Sequence, residues 1–137
     1  MVVVAAKERR KVATMDIGSA FVKASMDGQE EVLVALDSLF VALLIQIDPS
    51  YRKFLNDKQE MVVKLKKALY GCLQSARLWF ELLVKELIGF GYLQNAIDPC
   101  VLNRIVDGKQ STLLLHVDDI MVLSEIAGES RNLYSYL

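Results

Sequence analysis

The sequence STLLLHVDDIMVLS, residues 111–124, decides the fold of this chain. Two runs rich in Leu, Ile and Val flank the adjacent acidic residues Asp118 and Asp119. Such runs predict two β-strands, and the short acidic segment between them predicts the turn of a hairpin. This segment lacks the Gly, Asn or Pro that ordinary tight turns favour. The two carboxylates, whose side chains should point to different sides, therefore form either a solvated hairpin corner or part of a metal site.

The composition predicts one globular domain. The chain has 137 residues, of which 53% are hydrophobic and 24% charged, and this length is sufficient for a single core. The longest apolar run, at residues 39–45, falls far short of the ~20 residues of a membrane span, and the apolar start MVVVAA is too short for a secretory signal. We expect a soluble intracellular protein without a membrane partner.

The two cysteines, Cys72 and Cys100, are too few and too far apart for a disulfide framework or a zinc site. We expect both to be buried free thiols.

Charge gives only a local signal for a nucleic-acid partner. Sixteen basic and 17 acidic residues leave a net charge of −1, which provides no global attraction for a polyanion. Basic clusters occur at residues 7–11 and 64–67, with Arg77 further along. Such clusters are most often solvated faces, so they permit phosphate contacts without establishing them.

Strand and helix signals follow one another irregularly. Strands are predicted at residues 11–17, 31–35, 61–65, 100–106, 111–117 and 120–124, and Gly108 should lie in the loop of a hairpin. Helices are predicted from residue 38 with Asp37 as its cap, from Pro49 with Asp48 as its cap, and over residues 75–89, with a short helix or turn at residues 19–26. This order predicts an α+β fold with helices packed on one face of an antiparallel sheet.

Asp16 supplies a third carboxylate, at the end of the first predicted strand. If that strand lies beside the strand at residues 111–117, the Asp16 carboxylate faces Asp118 and Asp119. Three carboxylates at neighbouring strand ends provide the hard oxygen ligands and open positions that two Mg²⁺ ions use in phosphoryl transfer. A small metal-dependent phosphotransferase is one interpretation, which the absence of a Gly-rich phosphate loop from the sequence disfavours.

Three segments, in this order, resemble the reverse transcriptases of copia-type LTR retrotransposons. MDIGSAF at residues 15–21 resembles the first palm motif, and MVVKLKKALYGCLQSARLWFELL at residues 61–83 resembles the characteristic basic and Tyr-Gly stretch of that family. DPCVLNR at residues 98–104, followed by LLLHVDDIMVLS, resembles the strand pair that carries the catalytic Tyr-Val-Asp-Asp. The resemblance covers residues 11–124, and residues 35–55 also resemble the helical insertion of an animal subgroup.

The resemblance implies an RNA-directed DNA polymerase that transfers a nucleotide from a dNTP to a primer 3′-hydroxyl with two Mg²⁺ ions, for which Mn²⁺ is an alternative. The implied catalytic residues and metal ligands are Asp16, Asp118 and Asp119, together with the backbone carbonyl of Ile17. The first two aspartates hold both metals in this family, whereas Asp119 would tune the pocket.

The resemblance also implies contacts with substrate and nucleic acid. Phe21 matches the aromatic steric gate that excludes a 2′-hydroxyl, although packing in the core is the alternative. Gln74 matches a Gln of the nucleotide pocket. The residues implied to contact template or primer phosphates are basic: Lys66, Lys67 and Arg77. Trp79 and Phe80 are expected to be core residues.

Two positions depart from the family pattern. His116 stands where the family usually has Tyr, and we interpret it as a replacement that supports the primer terminus rather than as a general acid. Ser75 and Ala76 replace an Ala-Pro pair, so Ser75 is expected to cap the following helix.

The implied partners are a primed RNA or DNA template, dNTPs, and the integrase and RNase H parts of a Pol polyprotein in cytoplasmic virus-like particles. Residues 1–137 would form one partial palm domain with incomplete fingers and no thumb, and residues 125–137 would begin an interrupted C-terminal element. A catalytically silent or domesticated fragment, which retains only the fold or nucleic-acid binding, is the alternative.

Overall fold

A five-stranded antiparallel sheet, with the strand order β1-β7-β6-β5-β4, organises the computed structural model, which describes residues 2–137. Strands β2 and β3 form a separate antiparallel pair. The strands are β1 Lys11–Asp16, β2 Leu33–Leu36, β3 Met61–Lys64, β4 Leu93–Gln94, β5 Val101–Val106, β6 Lys109–His116 and β7 Asp119–Ser124. The helices are α1 Val2–Lys7, α2 Ala20–Lys23, α3 Ser38–Ile47, the 3₁₀-helix Pro49–Phe54, α4 Ser75–Gly89 and α5 Glu129–Tyr136. The predicted α+β class is confirmed.

Strand β1 lies beside β7 and not, as the sequence suggested, beside the strand that carries LLLHV. Its register pairs Lys11 with Ser124 and Asp16 with Asp119. The β6–β7 hairpin pairs His116 with the same Asp119. Asp16 therefore still reaches the end of the sheet at which the central hairpin turns.

One face of the sheet forms the main core with helices α2, α4 and α5. The strand side chains in this core alternate along their strands, as expected for a sheet with one buried face: Met15, Leu102, Leu113, Leu115, Ile120 and Val122. Helix α4 contributes Trp79, Leu83 and Leu87, which recur every four residues, and α2 and α5 contribute Phe21 and Leu133. The opposite face of the sheet is exposed to solvent at Asp16. Further along that face, Arg10, which follows α1, donates to Thr112 Oγ1 (3.1 Å).

A buried polar cluster attaches α5 to the sheet. The Tyr92 hydroxyl donates to Glu129 Oε1 (2.7 Å), and because a phenol has one proton it accepts from Ser111 Oγ (2.8 Å). Arg104 approaches the same Glu129 oxygen at 3.4 Å. Burial raises the pKa of Tyr92 well above its ordinary value, because the phenolate would lose its hydration. The cluster lies at the end of the sheet opposite Asp118, since Ser111 pairs with Ser124.

Local signals for caps and turns are largely confirmed. Asp37 Oδ1 accepts from the Leu39 backbone N–H and Asp48 Oδ1 from that of Ser50. The segment after Asp48 is a 3₁₀-helix instead of the predicted α-helix. In the β5–β6 hairpin both turn residues have a positive φ, 50° at Asp107 and 73° at Gly108, which is the conformation that an Asp-Gly pair favours.

Ser75 does not cap α4, so that prediction was wrong. Gln74 occupies the N-cap position without a side-chain hydrogen bond. Ser75 is buried; its hydroxyl donates to the Leu69 carbonyl (2.7 Å) and accepts from the Leu69 N–H (3.1 Å). The loop before α4 folds back over the start of the helix. The Ser75 hydroxyl therefore bonds to the backbone of this loop and is not available to cap the helix.

The expectation of buried cysteines was also wrong. Both thiols are free, but Cys72 is only partly buried and Cys100 is exposed. Cys100 lies in the turn before β5, where its N–H donates to Asp98 Oδ1 (2.9 Å), and such a turn keeps its side chain at the surface.

Helix α3 leaves most of its apolar side chains at the surface. Val41 is its one buried residue, whereas four large side chains are between 49% and 81% exposed: Leu39, Phe40, Leu43 and Ile47. Within residues 2–137, no helix has the length and apolar character needed to cross a membrane.

Candidate active site at the central hairpin

Val117 and Asp118 form the turn of the β6–β7 hairpin, and Asp119 is already the first residue of β7. Val117 has a φ of +58°. A β-branched residue in this region is strained, at a cost on the order of 1–3 kcal/mol. A positive φ at the first turn residue satisfies the twist of a two-residue hairpin, which Gly normally provides.

Two hydrogen bonds from other parts of the chain hold this turn. The indole Nε1 of Trp79, in α4, donates to the Val117 carbonyl (2.8 Å). The N–H of Ile17, directly after β1, donates to the Asp118 carbonyl (3.0 Å). Both turn carbonyls are therefore bound to neighbouring elements, and this explains how a strained conformation persists there.

The Asp118 carboxylate accepts a hydrogen bond from the Tyr70 hydroxyl, with 3.0 Å between the hydroxyl and Oδ2. This bond raises the pKa of Tyr70 above its ordinary value, and partial burial and the charges of Asp118 and Asp16 act in the same direction. The backbone bond from Ile17 to Asp118 brings the end of β1, which carries Asp16, next to this turn. The ring of Tyr70 lies against that of Phe21, with 4.2 Å between the centroids.

Asp119 faces a different neighbourhood. It is exposed and lines an open groove of about 400 Å³ on the sheet face opposite the core, together with Thr14, His116 and Met121. Asp16 is its cross-strand partner in β1. The predicted divergence of the two hairpin aspartates agrees with these contacts, because Asp118 meets Tyr70 whereas Asp119 meets the groove.

The aspartates at this end of the sheet have the donor chemistry for a divalent cation, but they do not form a tight triad. Within residues 2–137, no three His, Cys, Asp or Glu side chains converge into a group that could hold a metal ion. Asp118 accepts from the Tyr70 hydroxyl, and in the same residues neither Asp16 nor Asp118 forms a salt bridge with Lys or Arg. Carboxylates without a cationic partner suit Mg²⁺, which takes one or two carboxylates and completes its coordination with water or phosphate oxygens.

Phe21 belongs to the main core, in agreement with the alternative to the steric gate. Its side chain is 7% exposed and packs from α2 against the sheet and α4. Its ring also contacts Tyr70, whose hydroxyl donates to the Asp118 carboxylate. Packing and contact with the site are therefore both observed, and selection of the sugar stays a prediction.

Gln74 and Arg77 line a second open groove, of about 380 Å³, together with Gln29 and Glu30. Arg77 Nη2 donates to Gln29 Oε1 (2.9 Å), and Arg77 Nε lies 3.6 Å from Glu81 Oε1. None of the three aspartates lines this groove, so Gln74 lies in a different groove from Asp119.

Lys66 and Lys67 are exposed in the segment between β3 and α4. Lys67 Nζ donates to the carbonyl of Lys23, at the end of α2 (3.2 Å), and the Lys66 carbonyl accepts from Met26 N–H (3.1 Å). Neither side chain forms a salt bridge with another of the described residues. Their charges are therefore available to a polyanion.

Sequence reasoning missed two residues of this site. Tyr70 was passed over, and Trp79 was assigned to the core alone. Trp79 is indeed buried, at 4% exposure, but a buried indole N–H needs an acceptor, and this need was the signal available for it. Nothing local marks Tyr70, because its partner Asp118 is 48 residues away.

Comparison with known proteins identifies the family of this chain. The family described as reverse transcriptase (RNA-dependent DNA polymerase) matches residues 1–134. Over 72 residues, 52% of this chain, the sequence is 36% identical to the retrovirus-related Pol polyprotein from transposon TNT 1-94 of Nicotiana tabacum, and the match covers 5% of the length of that relative. No solved structure matches the chain. The predicted resemblance to copia-type retrotransposons is confirmed, and the chain belongs to the reverse transcriptase (RNA-dependent DNA polymerase) family.

Proposed function

We propose that this chain carries the polymerase centre of a retrotransposon Pol polyprotein and that this centre performs RNA-directed DNA synthesis. The observation that carries the proposal is the junction at the strained Val117 turn, where Ile17 N–H, directly after Asp16, donates to the Asp118 carbonyl (3.0 Å). Helix α4 and the end of β1 both hold the turn by hydrogen bonds. Strain that is maintained by neighbouring elements is typical of functional sites.

Asp16 and Asp118 would hold two Mg²⁺ ions, with Mn²⁺ as an alternative, and the Ile17 carbonyl would add a ligand. When bound, these ions would activate the primer 3′-hydroxyl and neutralise charge on the triphosphate. Asp119 would tune the charge of the groove that it shares with His116, where a primer terminus has room.

The other predicted residues would act around this centre. Phe21 would limit the space below the sugar. Because Phe21 packs in the core, its ring would have little freedom to move away. Gln74 would contact the incoming nucleotide or the template at the rim of its own groove. The basic residues would bind template or primer phosphates: Lys66, Lys67 and Arg77.

The five-stranded sheet with its three core helices would be the palm part of such a polymerase. Its partners would be a primed template, dNTPs, and the integrase and RNase H parts of the polyprotein, in cytoplasmic particles. The relative named above supports a polyprotein origin.

Primer extension tests the proposal. The chain, in its full reading frame, is incubated with a primed RNA template, dNTPs and Mg²⁺, and Asp118→Asn is compared with Asp107→Asn. Asp107 occupies the turn of the neighbouring hairpin and also has a positive φ, so it is a matched control. We expect extension that Asp118→Asn reduces by at least about 100-fold, the order of magnitude for loss of one electrostatic contact in a transition state. Equal extension by the two variants contradicts the assignment.

A second candidate is a catalytically silent fragment that binds nucleic acid. The observation that favours it is that Lys66 and Lys67 are exposed and form no salt bridge with any residue in 2–137. If these residues and Arg77 contact phosphates, the affinity for a primer–template should fall with salt, with a slope of about −3 in log K against log salt. Binding of this kind without nucleotide incorporation supports the second candidate.

A further inference from the structure

We propose that Tyr70 is a positioning residue of the metal site: its hydroxyl orients the Asp118 carboxylate toward the bound cation, and the ring of Phe21 holds Tyr70 in place. The inference rests on the proposed function. It adds a residue to which the resemblance assigned no role, and it joins the predicted gate Phe21 to the predicted ligand Asp118 through one side chain.

The hydrogen bond leaves Asp118 able to act as a ligand. Tyr70 donates to Oδ2 (3.0 Å), and a carboxylate has two oxygens with about four acceptor positions. Oδ1 is therefore available to a cation while Oδ2 stays fixed. Hydrogen bonds of this kind from surrounding residues commonly orient ligating carboxylates and strengthen metal binding.

Tyr70 needs support from another residue to do this. Tyr70 is 59% exposed, and an exposed tyrosine side chain ordinarily samples several rotamers. Its ring lies against Phe21 in a tilted arrangement, with 4.2 Å between centroids and 52° between planes. Phe21 itself is buried in the core. Its contact therefore restricts the rotamers that the Tyr70 side chain can adopt.

Electrostatics favours a neutral donor at this point. Asp16 and Asp118 repel one another, and within residues 2–137 neither has a Lys or Arg partner at salt-bridge distance. A hydroxyl dipole lowers this repulsion without adding a positive charge that would compete with the cation. A Lys at the same place would instead occupy the site.

The test measures Mn²⁺ binding to the 137-residue chain by electron paramagnetic resonance, together with the melting temperature. Tyr70→Phe keeps the ring and removes the hydroxyl, so we expect an affinity about tenfold lower and an unchanged melting temperature. Tyr134→Phe is the matched control, since Tyr134 is also exposed, at 63%, and lies on α5; it should leave the affinity unchanged. Should Tyr70→Phe fail to fold, Tyr70→Trp, which retains a flat ring and a neutral N–H donor that does not bind metals, should bind Mn²⁺ within a few fold of the unmodified chain.

Asp118→Asn separates this inference from the proposed function. Loss of Mn²⁺ binding in Asp118→Asn with no change in Tyr70→Phe overturns the role of Tyr70 and leaves the metal site standing. Tighter binding by Tyr70→Phe also overturns it, because Tyr70 would then compete with the cation. Absence of binding by the unmodified chain, or binding that Asp118→Asn does not alter, overturns both.

Discussion

Trp79 and Val117, which are 38 residues apart in the chain, are joined by a hydrogen bond of 2.8 Å from the indole Nε1 to the carbonyl oxygen. This bond connects the principal helix of the core to the strained turn that carries Asp118. The position of a candidate metal ligand therefore depends on the packing of α4. A substitution of Trp79 should therefore alter the geometry of the site although no carboxylate is replaced.

Trp79→Phe should reduce both stability and Mn²⁺ affinity. The variant leaves the Val117 carbonyl without its donor and opens space in the core, so we expect a loss of about 1–3 kcal/mol in the free energy of unfolding. Urea denaturation and Mn²⁺ titration measure the two effects. Leu83→Val, a core variant on the same helix, should lower stability and leave the Mn²⁺ affinity as it was. Equal Mn²⁺ affinities for the two variants would show that the indole bond does not position the turn.

Val117→Gly should stabilise the fold. The positive φ of Val117 is strained, and Gly adopts it freely, although Gly loses more backbone entropy on folding. Since Val117 is 48% exposed, little buried area is lost, and we expect a net gain of about 1 kcal/mol in urea denaturation. Asp107→Gly is the control at the corresponding position of the β5–β6 turn. Its gain should be smaller, because Asp tolerates the left-handed region better than a β-branched residue does.

Stability should fall at high pH partly because of Tyr92. Its pKa is raised in the folded chain by burial, so the unfolded tyrosine ionises first, near pH 10. The stabilising contribution is fully present below that pH and is lost as the pH rises toward the folded pKa. We expect about 1.4 kcal/mol of loss for each pH unit above 10.

Variants separate Tyr92 from the other tyrosines. Tyr92→Phe should be less stable at neutral pH, because Glu129 and Ser111 lose a partner, but its stability should fall less steeply between pH 10 and about 11.5. Tyr134→Phe should keep the original slope. Parallel curves for Tyr92→Phe and the unmodified chain would refute the role of burial at this residue.

Phe21→Val tests the steric gate against core packing alone. If Phe21 excludes the 2′-hydroxyl, the ratio of ribonucleotide to deoxynucleotide incorporation should rise by at least about tenfold, since a repulsive contact is removed. If Phe21 acts only in the core, the variant should lose about 1–3 kcal/mol of stability and the ratio should stay constant. Leu87→Val, a core change on α4, controls for general loosening of the fold. Primer extension with each nucleotide separately gives the ratio.

Local features of this chain could be predicted from the sequence. The helix over residues 75–89 matches α4 at both ends, and the strand before Asp16, the caps Asp37 and Asp48 and the turn at Gly108 all agree with the structure. Each of these signals lies within about 15 residues and reflects periodicity or backbone conformation. The family was also identifiable, because its motifs are contiguous stretches.

Those local signals could not predict the contacts between distant segments of the chain. The Ser75 hydroxyl bonds the Leu69 backbone instead of its own helix, and the first strand pairs with β7 instead of β6. A serine before a helix and an isolated strand each have several favourable partners. The choice among them depends on how the loops and strands pack.

The sequence by itself determined most of the strands and helices of this protein, its family and the placement of three aspartates at or beside strand ends, because these depend on local spacing and residue type. Only the tertiary structure decided that Tyr70 donates to Asp118, that Asp119 faces a separate groove, and that Trp79 holds the Val117 turn. The reason is physical. Strand order and helix packing bring together groups 38 and 48 residues apart, and no local pattern encodes which of them will meet.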